Sequence, residues 1–278
     1  MLQLPRSSYF KVVIIFIFLI GLVPIIAKYI PRGIDWFETF RVAGQAVYNG
    51  KDPYSVEGFR YPPWAVLVTL PFAWMPERIG RAAFLLTSLL AFAYVPFKLG
   101  AKPLAFMAFI LSPPVLHCLL NANIDWLPVL GFVLPPPIGI FFVVIKPQVG
   151  ICVAIFWVIQ LLRVKQWKKA FYLLCPISIA YLLSFILFGF WPIRFVEPVS
   201  FWWNASLWPA SIPVGLVLIT AAIRRNNIKP AMAASPCFSP YVLLHSWSGA
   251  LVALSQDQFE MSSAVIGLWI MVIIRAFS

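Results

Sequence analysis

Charge is what this 278-residue sequence has least of: 11% of its residues are Asp, Glu, Lys or Arg, against about 25% in ordinary soluble domains. Nine residues are acidic and two are histidine. With 62% hydrophobic residues and a mean hydropathy of +0.91, the chain reads as an all-α polytopic membrane protein, one transmembrane domain over residues 1–278. No polar interval is long enough for a soluble domain. Catalytic signatures are missing too. Without G-x-x-x-x-G-K, H-E-x-x-H or any cluster of His and Cys, a nucleotide-driven pump or a metalloprotease has no support. Cys118, Cys152, Cys175 and Cys237 lie in or beside apolar runs and form no C-x-x-C, so they read as small buried hydrophobes, with neither disulfide nor zinc implied.

The net charge of +12 comes from basic residues scattered between apolar runs. That pattern suits a positive-inside membrane protein and not a nucleic-acid partner. Candidate spans fall at about residues 9–30, 62–76, 82–97, 103–120, 126–145, 149–162, 169–191, 207–223, 240–254 and 261–275, about ten in all. Arg6 and Lys11 precede the apolar Val12 to Ala27 of the first, and with no A-x-A-like site before Lys28 it reads as an uncleaved span. An N-terminus inside gives the inner side twelve basic residues against Glu77 and Asp125, and the outer side nine against seven acidic ones. Pro135-Pro136-Pro137 interrupts the fifth run, because prolines remove donors and clash with the preceding turn, which predicts two half-length helices around a break.

The longest polar interval, residues 31–63, holds four of the nine acidic residues: Asp35, Glu38, Asp52 and Glu57. Trp36, Phe37, Phe40, Ala43, Gly44 and Val47 form a one-sided stripe that predicts a membrane-parallel helix in an outer loop. Asp35 and Glu38 have capping-box spacing at its start, and Asn49-Gly50 supplies its end. Asp52-Pro53 turns the chain, and Tyr61-Pro62-Pro63 leads it into the next run.

Three groups could carry chemistry. Asp35 is either a helix cap or a general base reached by a substrate hydroxyl at the membrane surface. Lys146, held extended by Pro147, either snorkels to the interface or, with Gln148, binds a phosphate. The polar run Asn121-Ala122-Asn123-Ile124-Asp125 is either a helix end followed by a cap or the lining of a headgroup cavity. His117 and His245 read as core groups able to contact a phosphate, residues 255–260 as a solvated outer loop, and Asn204-Ala205-Ser206 as a formal glycosylation acceptor.

Together, Asp35-Trp36-Phe37 after the first span, the Asn49 to Tyr54 turn and Tyr61-Pro62-Pro63 resemble bacterial glycosyltransferase family 87, the polyprenyl-phosphate-mannose-dependent membrane mannosyltransferases and their relatives. Asn123-Ile124-Asp125 and Lys146-Pro147-Gln148 are similar to later segments of such proteins. The resemblance covers about residues 30–165. It implies a C-type glycosyltransferase-like bundle in the bacterial plasma membrane, whose first outer loop, residues 31–63, faces the extracytoplasmic side and carries the catalytic acid at the position of Asp35. The donor is then a polyprenyl-phosphate sugar and the acceptor a lipid or glycan hydroxyl. Lys146, Gln148, Arg41 and Arg60 are the expected cationic and polar ligands of the donor phosphate, with Glu38, Tyr61 and Asn123 as further substrate contacts. A lipid phosphate leaves without a nucleotide diphosphate, so neither metal nor cofactor is expected. The rival class is a transporter or flippase of a lipid-linked sugar, which would use the same groove. Against it, the sequence shows no matched pair of interrupted spans in two halves.

Overall fold

The computed structural model describes residues 6–195 and 204–277. Helix makes up 76% of the fold and no strand occurs among the described residues, so backbone polar groups are satisfied within segments, as a lipid environment demands. Helices α4 (Glu77–Lys98), α10 (Trp167–Phe188) and α14 (Gln258–Phe277) are long and apolar enough to cross a membrane. Helices α5 (Pro103–Ile110) and α6 (Pro113–Asn121), bent by 44° at their junction, make a fourth candidate if taken as one span. The expected ten spans are therefore corrected, among the described residues, to three or four helices of crossing length. Shorter apolar helices fill the rest: the Ile17–Tyr29 part of α1 (Arg6–Tyr29), α3 (Trp64–Ala73) and α9 (Pro147–Arg163).

The long helices differ in surroundings. The apolar stretch of α4 is 56% buried, whereas those of α10 and α14 are 17% and 11% buried, and they turn Leu182, Ile186, Leu187, Ile270 and Ile274 outward. Water does not tolerate such continuous apolar faces, but lipid does. Prolines at their first positions start α5, α6 and α9, where the missing N–H costs nothing.

Three of the expected spans are not helices of crossing length. Helix α3 has ten residues, about 15 Å of rise against a hydrocarbon layer of about 30 Å. The chain comes back to its starting side, where Arg32 Nε meets Glu77 Oε1 at 2.9 Å. The 126–145 run breaks at the predicted prolines, but α7 (Trp126–Gly131) and α8 (Pro136–Val143) then fold into a tight hairpin. A Cβ on Gly139 would stand 2.5 Å from the Gly131 carbonyl oxygen, so glycine permits this approach. The 240–254 run is likewise no span: it holds a 3₁₀ turn at Leu244–Trp247 and the short α13 (Ser248–Val252). Helix α12 (Ile228–Ala234) packs between it and α9, and α11 (Ile212–Arg225) packs on α12 and α9.

These returns correct the assignment of sides. Glu77, Arg81 and Asp125, expected inside, share one end of α4 with Arg32, Asp35 and Lys146, expected outside. At the other end Gln256 joins the Leu99 carbonyl (2.7 Å) to Lys229 (2.5 Å), and Lys102 N donates to Ser255 O. Lys98 and Lys102, expected outside, thus lie with Lys229, expected inside.

The polar stretch also departs from expectation. Its helix begins at Ile34, before Asp35, which has helical φ and ψ and makes no side-chain cap. No capping box forms. Residues Trp36–Phe40 make a wide π turn before α2 (Arg41–Tyr48). That turn carries an extra residue, which rotates Phe37 off the buried face and brings Thr39 onto it. Phe37 instead lies under the Arg32 guanidinium, 3.6 Å from its ring centre. The far end follows the sequence reading: Gly50 has φ +70 and the Asp52 carboxylate accepts from Tyr54 N at 2.8 Å.

Candidate functional site

Arg81 of α4 builds the floor of the site. It is 1% exposed; its Nε donates to the Arg32 carbonyl at 3.1 Å, and its Nη2 to the carbonyls of Leu119 and Leu120 at 2.7 and 2.8 Å. One guanidinium therefore ties the segment before Asp35 to the last turn of α6. Gly33 (φ +74) lies flat on this joint; a Cβ there would come within 2.8 Å of Arg81 Nε.

Helix α6 ends at Ala122, whose left-handed φ of 61 swings Asn123 inward. The Asn123 amide then has both ends fixed. Its Oδ1 accepts from Ile124 N and Lys146 Nζ, each at 2.7 Å, and its Nδ2 donates to Asp35 Oδ2 at 2.7 Å. Two donors on one side and a carboxylate on the other leave a single sensible amide orientation.

Lys146 stands in extended conformation (φ −130, ψ 92) between α8 and Pro147, as a residue before proline must. It is 3% exposed, and besides Asn123 its ammonium meets Asp125 Oδ2 at 2.7 Å. Tyr61 offers its ring face 5.8 Å from the charge. Asp125, fully buried, shares that Oδ2 between Lys146 and His245 Nδ1 (2.8 Å), and its Oδ1 accepts from Ser246 Oγ (2.9 Å). His245 stacks on His117, ring centres 5.3 Å apart, and His117 Nε2 is 2.9 Å from Asn121 Nδ2. Burial works against a charge on Asp125, but His245 and Lys146 overcome it and hold the carboxyl below the usual carboxylate range. Burial, with Asp35 and Asp125 close by, pushes the Tyr61 phenol well up, so it stays neutral. Burial and the neighbouring Tyr61 push Tyr241 up to about 12.

Of the residues singled out from sequence, Asp35, Asn123 and Lys146 come together in one hydrogen-bonded chain with Tyr61 at its edge. Arg60 is half-buried, and its charge reaches Tyr241. The others stand apart. Gln148 is half-buried in the first turn of α9 with no hydrogen bond to the network, and Glu38 is exposed. Arg41 turns to Gln45 (3.4 Å) and Glu77 (4.0 Å). Lys146 does not snorkel, and neither Asp35 nor Asp125 caps a helix. Sequence reasoning missed the structural weight of Asp125, His245, Ser246 and Arg81. A signal for the first was present: Asp125 and Lys146 are single charges at the two ends of one proline-broken apolar run, and a run that folds back brings its ends together.

With Asp35 half-buried and one carboxylate oxygen held by Asn123, the arrangement can present a fixed carboxylate to a substrate. Among the described residues no cluster of His, Cys, Asp and Glu is able to hold a metal ion. Comparison with family models, with curated proteins and with solved structures finds no match to this chain.

Proposed function

We propose that the chain is an inverting membrane glycosyltransferase that moves a hexose from a polyprenyl-phosphate donor to an acceptor hydroxyl, with Asp35 as general base. The observation that carries this reading is the state of Asp35: half-buried, spent on no helix cap, and gripped through one oxygen by Asn123. In the reaction the acceptor oxygen bonds to the anomeric carbon as the bond from that carbon to the phosphate oxygen breaks. Asp35 takes the hydroxyl proton, and the lipid phosphate leaves with the electron pair. Its second pKa of about 6 lets it depart without a general acid.

Cations must hold the phosphate. The Lys146 charge is already met by Asp125; Arg60, next to Tyr61 and within charge range of Tyr241, is the cation assigned to the phosphate. An apolar cavity of about 380 Å³ between α8, α9 and α10, lined by Val144, Ile151, Ile155, Val158, Ile177 and Tyr181, would take part of the hydrocarbon chain. Val144 stands two residues before Lys146, so lipid and site adjoin. The end of the molecule away from Asp35 carries exposed Lys98, Lys102, Arg163, Lys165, Lys168, Lys169, Arg224 and Arg225 against Asp257 and Glu260. By the positive-inside rule that end is cytoplasmic and Asp35 faces the extracytoplasmic side of the plasma membrane.

The test is sugar transfer in lipid discs from labelled polyprenyl-phosphate hexoses, comparing wild type with Asp35→Asn. A folded, donor-binding, inert variant beside an active wild type is the expected result; equal turnover by both removes Asp35 from the chemistry. A second reading, transport of a lipid-linked sugar, draws on the buried Lys146–Asp125 pair, since ionisable groups inside a bundle often mark a translocation path. Movement of donor across the bilayer without transfer would select it.

A further inference from the structure

We propose that Asn123 and Lys146 are positioning residues for Asp35, arranged as a clamp anchored on Asp125, and that Lys146 does not bind the donor phosphate. The proposal rests on Asp35 being the base. Lys146 has three N–H donors, and Asn123 Oδ1 and Asp125 Oδ2, both at 2.7 Å, account for two. An anion drawn to this ammonium would meet Asp125, which already compensates it, and a second carboxylate, Asp35, on the same Asn123 amide. What the ammonium does instead is lock the Asn123 amide, jointly with Ile124 N. A locked Oδ1 fixes Nδ2, and Nδ2 fixes Asp35 Oδ2 at 2.7 Å. Two segments besides its own, Asn123–Asp125 and Lys146, thus act through Asn123 on one carboxylate oxygen of Asp35 and leave the other for substrate. The anchor is firm, because Asp125 also meets His245 through the same Oδ2 and accepts from Ser246 Oγ at its other oxygen, Oδ1. A base aimed this way gains in rate and not in affinity, since misplacement of a reacting group by about 1 Å costs about 100-fold.

The experiment compares wild type, Asn123→Ala, Lys146→Met and the double variant Asp125→Asn with Lys146→Met, each reconstituted in lipid discs. Lys146→Met alone strands the Asp125 charge and can fail to fold; the double variant removes both charges and restores a neutral interior. Turnover of Asn123→Ala and of the folded double variant is expected to drop about 100-fold with donor KM unchanged, the split that marks loss of orientation. A raised donor KM with kcat preserved would make Lys146 a phosphate ligand and overturn the proposal. So would a double variant that recovers folding and turnover together, because Lys146 would then only neutralise Asp125. A readout independent of catalysis separates this failure from that of the transferase reading: the drops in Tm caused by Asp35→Ala and Asn123→Ala, measured singly and together. Non-additive drops support the clamp even if no donor is ever turned over, and additive drops overturn it.

Discussion

The two ends of α4 treat the same residue type in opposite ways. At the Asp35 end, Lys146 is buried and joined to Asn123 and Asp125; at the other, Lys165, Lys168 and Lys169 are exposed. One end uses charge to fix geometry, where low dielectric makes each partner count. The other carries it on exposed side chains, where, under the proposed orientation, number matters and individual position hardly does.

The sharpest way to break the contrast is the same substitution at both ends. Lys146→Met leaves Asp125 with an uncompensated buried charge and is expected to cost about 3–5 kcal/mol, read as a lowered thermal midpoint in detergent or discs. A smaller effect comes from acid. The Asp125 carboxyl is held below its ordinary value in the folded protein, so its contribution is full above the unfolded-chain value of about 4 and is lost as pH falls from there through the folded value. Thermal melts between pH 7 and pH 3 should show this loss in wild type and less of it in the double variant lacking both charges. Smallest of all, Lys168→Met should move stability by no more than about 0.5 kcal/mol; a loss approaching that of Lys146→Met would erase the distinction between the ends.

How much of this was legible in the sequence depended on whether the signal was local. Apolar runs located α1, α4, α9, α10 and α14 to within a few residues, and the turn at Gly50 and Asp52 and the break at Pro135–Pro137 stand where side-chain chemistry puts them. Apolar length, however, says nothing about direction. Helix α3 and the α7–α8 hairpin read as crossings because their runs are greasy, yet one is too short and the other is folded by a glycine contact that only three dimensions reveal. The same loss of direction put Asp125 and Lys146 on opposite sides. For His245 no local signal existed, since it meets Asp125 from 120 positions further along the chain. The expected cap at Asp35 failed for a related reason: Arg81 and Gly33 hold the preceding segment so that the helix starts two residues early, at Ile34, which frees the carboxylate to face Asn123.

The wide turn at Trp36–Phe40 gives that carboxylate a mechanical independence. Shortened by one residue to ordinary α geometry, the turn would twist everything ahead of it by about 100° relative to α2. The surplus residue works as a spacer ring between two parts of a shaft. Helix α2 stays keyed into its seat, where a Cβ on Gly44 would lie 2.6 Å from Ala73 Cβ, while the front of the shaft, bearing Asp35, keeps its own bearing toward Asn123.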